Sequence, residues 1–270
     1  MDLDTEPTEE IVMNFSDIEF ALSDFSVVYQ PIFDVQTGSI EKIEALTRWT
    51  RSNDVCGFIE HFEATGQIKE LTFHLIETVC TDVTALSAAW KHPVVTLNFA
   101  PLVLADHDFV EGVISLFALN HVPPDWIEIE ITEAERLNPN AVAAGVKMLS
   151  EKGFRISLDD FGAGATTLGC LVNMPIDVIK LDRSYIARVG ESFANRAILS
   201  TVAHLRTELN IECVVEGIET QVQMEFLKKI DMDYAQGFLL SKPIALNEFV
   251  RLLAATHEFG GIDIRRQAIY

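Results

Sequence analysis

The sequence has few cysteines, and no two of them are spaced as CxxC. The four residues, Cys56, Cys80, Cys170 and Cys213, also lie away from any histidine at metal-ligand spacing. A metal site built on cysteine is therefore not indicated. We expect reduced, mostly buried thiols, as in a cytoplasmic protein.

Basic residues are also scarce. There are 20 Lys and Arg against 41 Asp and Glu, which gives a formal net charge of -21 at pH 7. A surface of this sign repels nucleic acid and anionic lipid at long range, so we expect no DNA or RNA polymer as a partner. An anionic substrate could bind only where metal ions or local arginines reverse the field.

Long hydrophobic runs are missing too. No run approaches the roughly 20 apolar residues that cross a bilayer, so we expect no membrane span. The acidic start, Met1–Glu10, lacks the apolar core of a signal peptide. Glycine and proline, 14 and 9 residues, are too few for a disordered or fibrous chain.

What is present is a chain of 270 residues, 49% of them hydrophobic, enough for a sizeable core. We predict an acidic tail with a short helix over residues 1–24, one domain over residues 25–257 and a second tail over residues 258–270.

The domain begins with a predicted hairpin and continues with alternating helices and strands. Val27–Phe33 and Ile40–Leu46 have strand patterns joined by a turn at residues 35–38, and the polar residues 50–57 predict a loop. Helices are then predicted at 67–90, 109–119, 141–150, 197–209, 222–230 and 246–255, and strands at 94–98, 126–131, 155–160, 178–181, 211–215 and 234–238.

This alternation predicts an α/β fold whose parallel sheet closes as a β/α barrel. A doubly wound open sheet is the alternative. No GxGxxG or Walker sequence follows the first strand, which weakens a nucleotide-cofactor interpretation.

The stretch Arg155–Gly164 reads RISLDDFGAG, an apolar strand that ends in two adjacent carboxylates and a glycine-rich turn. Adjacent side chains on a strand point to opposite faces, so Asp159 and Asp160 could share one cation or address two neighbouring ones. A solvated turn is the alternative, because aspartate before glycine is common turn chemistry.

Polar residues also follow the other predicted strands, at the ends where β/α barrels carry their chemistry. In chain order these residues are Glu44, Arg48, Asn98, Glu130, Glu133, Asp159, Asp160, Lys180, Glu216, Glu219 and Gln236. Several have an ordinary structural explanation: Asn98 could cap a turn, Lys180 could be an edge residue and Glu216 could start a helix. Their recurrence at successive strand ends favours a site.

Carboxylates that converge on one rim repel each other strongly unless cations neutralise them. Ligands that are all oxygen favour Mg²⁺, Mn²⁺ or Ca²⁺ over zinc. Asp159 would be placed to bridge two ions about 3.5–4 Å apart, the spacing used to hydrolyse phosphate esters. Lys180 could then hold or activate the attacking water, and Arg48 could grip a phosphate oxygen.

As a set, these residues resemble the EAL family of cyclic di-GMP phosphodiesterases. The matching segments run in family order from about residue 25 to 250. They are Tyr29-Gln30-Pro31, Glu44-Ala45-Leu46-Thr47-Arg48-Trp49, Leu97-Asn98, Glu130-Ile131-Thr132-Glu133, Asp159-Asp160-Phe161-Gly162, Ile179-Lys180-Leu181-Asp182-Arg183-Ser184, Glu216-Gly217-Ile218-Glu219-Thr220 and Gln236-Gly237-Phe238.

The resemblance implies a TIM-like (β/α)8 barrel whose first strand is antiparallel to its neighbour. It implies hydrolysis of cyclic di-GMP to linear pGpG with two Mg²⁺ or Mn²⁺ ions. One ion would be held by Glu44, Asn98, Glu130 and Asp159, and the other by Asp159, Asp160 and Glu216. Calcium is expected to occupy the site but to inhibit, because its coordination is looser.

The resemblance also implies roles around the metal ligands. Lys180 and Glu216 would position the attacking water with Gln236 nearby, and Gln30 and Arg48 would contact the substrate. Glu133 and Glu219 would brace the loop after Asp160, through which the chain could form a homodimer.

Some positions depart from the family pattern, although no expected metal ligand is missing. Ala163 and Ala165 stand where the family has a threonine and an aromatic residue, and Ala100 replaces the usual serine. The loop after Trp49 is shorter than usual and lacks a Pro-Asp-Gly turn. The alternatives to an active enzyme are a weak or inactive domain that acts as a cyclic di-GMP receptor, and a scaffold that binds a protein partner.

Overall fold

The computed structural model describes residues 21–51, 55–132, 139–162 and 168–259. Most of the two predicted tails lies outside these ranges, as does Glu133. Within the described ranges, no helix combines the length and the hydropathy needed to cross a membrane.

Eight strands form one closed barrel. They are β1 Phe25–Asp34, β2 Ile40–Trp49, β3 Val94–Phe99, β4 Ile127–Ile131, β5 Arg155–Phe161, β6 Val178–Leu181, β7 Glu212–Val215 and β8 Tyr234–Ala235. They pair in chain order, and β8 closes on β1. Strand β1 is antiparallel to both β2 and β8, whereas the pairs from β2 to β8 are parallel. The predicted barrel with an antiparallel first strand is confirmed, and the doubly wound open sheet is wrong.

The helices follow the strands along the chain. They are α1 Val55–Thr65, α2 Ile68–Leu86, α3 Pro101–Leu104, α4 His107–Leu119, α5 Pro139–Glu151, α6 Leu168–Asn173, α7 Arg183–Ala187, α8 Phe193–Leu209, α9 Gln221–Lys229 and α10 Leu246–Phe259. Short 3-10 turns at Leu22–Asp24 and Pro124–Trp126 precede β1 and β4.

Helix α1 differs from the loop predicted at residues 50–57, because it begins at Val55. Two of its aromatic residues, one helical turn apart, explain the difference. Phe58 and Phe62 are buried, and their rings lie 5.2 Å and 5.4 Å from the ring of Phe25. Burial of these rings stabilises a helix whose first residues have no strong pattern.

The β1–β2 hairpin is fixed by a side chain in its turn. The Asp34 carboxylate accepts hydrogen bonds from the backbone N–H groups of Gln36 at 2.9 Å and Thr37 at 2.6 Å, a common turn arrangement for aspartate. In the resulting register Gln30 lies opposite Glu44. The hairpin therefore brings two predicted site residues to the same height in the barrel.

The inside of the barrel is layered, because alternate residues of each strand point inward. At the N-terminal ends of the parallel strands, Lys42 Nζ lies 2.8 Å from Glu128 and 2.7 Å from Glu212, and Arg155 pairs with the same two carboxylates. Two residues further along, Val214 on β7 belongs to a small buried apolar cluster with Ile32 and Val178. The next inward residues along the strands are the predicted site residues.

The main hydrophobic core lies on the other face of the strands. Strand β4 shows the division: Ile127, Ile129 and Ile131 belong to the core cluster, whereas Glu128 and Glu130 alternate with them and are also buried. All five residues are therefore buried, but on two different faces of the sheet.

Candidate functional site

Seven polar side chains converge at one rim of the barrel, where strands β3 to β8 end and where β2, at Glu44, is still paired with β3. In strand order they are Glu44, Asn98, Glu130, Asp159, Lys180, Glu216 and Gln236. Because these strands are parallel and neighbours in one barrel, their C-terminal ends meet at one rim. Each strand contributes one residue, either its own or the first residue after its end.

The ammonium group of Lys180 lies among four carboxylates. It contacts Glu130 Oε1 directly, and Nζ lies 2.7 Å from Glu216 Oε1, 3.4 Å from Glu44 Oε2 and 3.6 Å from Asp159 Oδ1. Lys180 is only 1% exposed. One positive charge therefore faces four acidic groups at a place largely shielded from water.

This arrangement shifts the ionisation of the groups around it. Burial raises the pKa of Glu130 well above its usual range, and nearby Glu44 and Asp159 raise it further, although Lys180 opposes the shift. Burial also raises the pKa of Glu216 to about 7, again against the effect of Lys180. Without a bound cation, both carboxyl groups therefore keep their protons to a higher pH than an ordinary glutamate does.

The surroundings of Lys180 and Glu44 favour the charged form of each group. Burial disfavours the ammonium form of Lys180, but the surrounding carboxylates outweigh burial and raise its pKa well above the usual value. Burial would raise the pKa of Glu44, but Lys180 and hydrogen bonds from Asn98 and Gln236 lower it. Asn98 Nδ2 donates to Glu44 Oε1 at 3.0 Å, and Gln236 Nε2 donates to Glu44 Oε2 at 2.8 Å.

The donor atoms of this cluster fit divalent cations. Glu44, Glu130 and Glu216 each offer a carboxylate oxygen, and the three oxygens lie within 4.8 Å of one another. Among the described residues, Glu130 Oε2, Asp159 Oδ1 and Gln236 Oε1 are buried without a hydrogen-bond partner. Buried carboxylate oxygens in that state favour a cation, and an all-oxygen set favours a hard one such as Mg²⁺ or Mn²⁺.

Two cavities flank this cluster and share Glu44 and Leu46 in their walls. The first, which we call the polar cavity, has a volume of about 310 Å³ and is also lined by Gln30, Asp159, Lys180, Arg183, Glu216, Glu219, Gln236 and Phe238. The second, which we call the apolar cavity, has a volume of about 390 Å³. It lies beside Asn98 and Arg48 and has mainly apolar walls, including Ile59, Leu71, Leu75 and Phe99. An elongated ligand could lie across Glu44, with one end in the polar cavity and the other in the apolar cavity.

The remaining predicted site residues lie around the cluster at different distances. Gln30 is 9% exposed, and its Nε2 donates to the Ser241 carbonyl at 3.1 Å. Arg48 lines the apolar cavity and donates to the Thr47 carbonyl at 2.8 Å. Glu219 is exposed at the mouth of the polar cavity.

Asp160 differs from its neighbour Asp159. It is exposed, its φ angle is 51°, and it is not among the carboxylates paired with Lys180 in the described part of the chain. Although Asp160 is exposed, its carboxyl group is partly removed from water, and this effect together with the charge of Asp159 raises its pKa.

Two residues of the polar cavity, one cationic and one aromatic, received no role from the sequence. Arg183 and the 60% exposed ring of Phe238 line the polar cavity. Both belong to segments on which the family resemblance rests. Their closeness in sequence to Lys180 and Gln236 was the signal that could have indicated a place beside the site. Neither residue type signals a site without that context.

Comparison with known families identifies the fold with a named domain. The family model described as EAL domain matches residues 17–243. The chain belongs to the EAL domain family. The matched range includes every residue predicted for the site.

Several curated relatives of this EAL domain are named for cyclic di-GMP. The chain is 31% identical over 255 residues to the cyclic di-GMP phosphodiesterase NbdA of Pseudomonas aeruginosa, covering 90% of this chain and 32% of NbdA. It is 31% identical over 236 residues to the probable cyclic di-GMP phosphodiesterase PdeN of Escherichia coli K12, covering 85% of this chain and 45% of PdeN. The chain thus spans less than half the length of these two relatives.

Solved structures of EAL proteins have the same fold. The EAL enzyme Bd1971, in a form bound to cAMP and cyclic di-GMP, matches with a TM-score of 0.80 and 26% identity over 86% of this chain and 65% of that one. The PaMucR phosphodiesterase in complex with c-di-GMP matches with a TM-score of 0.76 and 28% identity, over 84% of this chain and 94% of that one.

Proposed function

We propose that this EAL domain binds cyclic di-GMP and hydrolyses one of its two phosphodiester bonds, which gives linear pGpG. The observation that carries the proposal is the buried group of carboxylates around Lys180, with oxygens on Glu130 and Asp159 that have no hydrogen-bond partner among the described residues. The relatives named as cyclic di-GMP phosphodiesterases support the same substrate.

Two Mg²⁺ or Mn²⁺ ions would be held by the carboxylates and the amide of this rim. Glu44, Asn98, Glu130 and Asp159 would hold one ion, and Asp159, Asp160 and Glu216 the other. Bound there, the ions would supply charge neutralisation for the phosphodiester and acidity for a water molecule.

The protein's own groups then have separate tasks. The carboxylates around Lys180 favour its ammonium form by raising its pKa, and that ammonium would hold a water molecule by hydrogen bonding and offset negative charge that develops on the phosphate. Glu216, 2.7 Å from Lys180, would orient the same water. Gln236 fixes Glu44 through its amide and leaves its own oxygen, which has no partner among the described residues, free to accept a hydrogen bond.

The two cavities support a dinucleotide as the substrate. Cyclic di-GMP has one guanine base on each side of a ring of sugars and phosphates. Glu44 and Leu46 lie between the two cavities, where that ring would be placed. Gln30 in the polar cavity and Arg48 in the apolar cavity are proposed to contact the substrate from opposite sides. Arg48 supplies positive charge on a chain whose net charge is -21.

Other expectations remain proposals of the same kind. Glu133 and Glu219 are proposed to brace the loop that follows Asp160, and this loop is proposed as a contact in a homodimer. A cytoplasmic location is proposed as well, and the thiols of Cys80 and Cys213, which form no disulfide, agree with it.

The test is a product assay with a matched pair of variants. Purified protein is incubated with cyclic di-GMP and Mn²⁺ or Mg²⁺, and the products are separated by chromatography. Glu130→Gln is expected to abolish formation of pGpG. Glu128→Gln, on the same strand and the same inward face but paired with Lys42 at the other end of the barrel, is expected to keep it.

A cyclic di-GMP receptor is the second candidate, and one observation favours it. Asp160, proposed as a metal ligand, is exposed and outside the group of carboxylates paired with Lys180. Tight binding of cyclic di-GMP without any pGpG would select the receptor. Neither binding nor product would select a scaffold for a protein partner.

A further inference from the structure

Helix α7, which comprises only Arg183–Ala187, follows Lys180 on β6 and contacts the loops on both sides of it. Toward β5, the Tyr185 hydroxyl donates a hydrogen bond to the Gly162 carbonyl. Toward β7, the Ile186 carbonyl accepts a hydrogen bond from Gln223 Nε2 at 3.3 Å. This short helix, directly after β6, therefore links the turn at the end of β5 to α9, the helix that follows β7.

The end of β5 has a backbone that needs such support. The φ angles are 51° at Asp160 and 86° at Gly162, and the register of β5 with β6 shifts between Leu158 and Phe161. A positive φ costs free energy at a residue other than glycine, so contacts from outside the turn must stabilise it. The carboxylates of Asp159 and Asp160 are presented from this turn.

Tyr185 supplies a contact of this kind. Its hydroxyl lies so close to Gly162 that a Cβ atom added to this glycine would overlap it. Among the described residues, Tyr185 is the one whose side chain hydrogen-bonds to Gly162, and it reaches this turn from the connection after β6.

Tyr185 is itself held in place. Asn195 Nδ2, on the first turn of α8, donates to the backbone carbonyls of Ser184 at 3.1 Å and Tyr185 at 2.8 Å. Asp182 caps α7 by accepting from the Ser184 N–H at 2.9 Å. A fixed donor at Tyr185 can therefore hold the turn rather than follow it.

We propose that Tyr185 is a positioning residue whose hydroxyl, through the Gly162 carbonyl, holds the turn that presents Asp159 and Asp160 to divalent cations. The inference rests on the proposed function, because it concerns the same metal ligands. It adds a residue that lines neither of the two cavities beside Glu44.

The test compares Tyr185→Phe with the unaltered protein in Mn²⁺ binding, without substrate. The free Mn²⁺ signal in electron paramagnetic resonance gives the Kd for the metal. Loss of one hydrogen bond that orders the ligands is expected to weaken binding about fivefold. In turnover assays, kcat is expected to recover at saturating Mn²⁺, whereas the activity at limiting Mn²⁺ falls by the same factor.

Tyr29→Phe is the matched control. Tyr29 is fully buried, and its hydroxyl donates to Asp82 on α2 at 2.5 Å, outside the barrel. This variant also removes one hydrogen-bonded phenol oxygen, so we expect a similar decrease in Tm. The Mn²⁺ Kd is expected to stay unchanged, which separates positioning from general stability.

An equal Mn²⁺ Kd in Tyr185→Phe and the unaltered protein overturns the inference while the proposed function stands. If the unaltered protein binds Mn²⁺ but forms no pGpG, the hydrolysis proposal fails and the comparison of Kd values still decides the role of Tyr185. Absence of Mn²⁺ binding overturns both. Should Tyr185→Phe fail to fold, Asn195→Ala tests the same support, and an unchanged Mn²⁺ Kd in that variant overturns the inference.

Discussion

Replacement of Lys180 by methionine removes the ammonium that lies among Glu44, Glu130, Asp159 and Glu216, and keeps a side chain of similar length. Because Lys180 is 1% exposed, the carboxylates left behind stay largely shielded from water. We expect the variant to be much less stable without metal, and to recover when divalent cations supply the missing positive charge.

The distances give the size of the effect. With an effective dielectric constant of about 20, each pair between 2.7 Å and 3.6 Å represents roughly 5–6 kcal/mol of gross attraction. Most of this is offset by desolvation of the buried charges, and protons can bind to Glu130 and Glu216 once the lysine is gone. Removal of one partner of a buried ion pair costs about 3–5 kcal/mol. In a chain of this size, that loss lowers Tm by roughly 10 °C.

The assay is thermal unfolding with EDTA and with saturating Mn²⁺, and Lys42→Met is the control. Lys42 is also a buried lysine between two carboxylates, Glu128 and Glu212, but at the opposite end of the barrel. Mn²⁺ is expected to restore most of the lost Tm in Lys180→Met. In Lys42→Met it should raise Tm only as much as in the unaltered protein. An equal response of the two variants to Mn²⁺ would show that the metal does not replace the positive charge of Lys180.

Three further outcomes follow from the same cluster. Glu44→Ala should abolish turnover, because it removes the carboxylate that Asn98 and Gln236 hold in the site. The circular dichroism spectrum should stay unchanged, and unchanged rates of turnover would contradict the assigned site. Mn²⁺ affinity should rise between about pH 6 and pH 8. Burial raises the pKa of Glu216 to about 7 and the pKa of Glu130 well above its usual range. The metal must therefore displace protons from these groups at low pH, and fewer protons remain to be displaced as the pH increases. Calorimetry would detect that proton release, and a pH-independent affinity would exclude it. Calcium should bind but support little hydrolysis, and robust formation of pGpG with calcium alone would show that expectation to be wrong.

Much of the barrel was predictable because its signals are local. Hydrophobic periodicity predicts the hairpin and the alternation that follows it, and the parallel order of the strands then predicts one rim for their C-terminal ends. The convergence of Glu44, Glu130, Asp159 and Glu216 follows from that rule without knowledge of any side-chain contact.

What the sequence did not predict depends on contacts between distant segments. The alternation of Ile127, Glu128, Ile129 and Glu130 indicates a strand, but it cannot show that both glutamates are buried inside a closed barrel. Glu128 is neutralised by Lys42, which is 86 residues earlier in the chain. Helix α1 was missed because its stability comes from rings packed on Phe25 rather than from its own pattern.

The most direct measurement is diffraction from crystals grown with Mn²⁺ and cyclic di-GMP, with data collected at the manganese absorption edge. We expect anomalous peaks at the C-terminal rim of the barrel, with carboxylate oxygens of Glu44, Glu130 and Asp159 at about 2.1 Å from the manganese. Manganese that lies only at an exposed cluster would contradict this expectation, provided that the crystals are saturated. One such cluster on α4 consists of His107, Asp108 and Glu111.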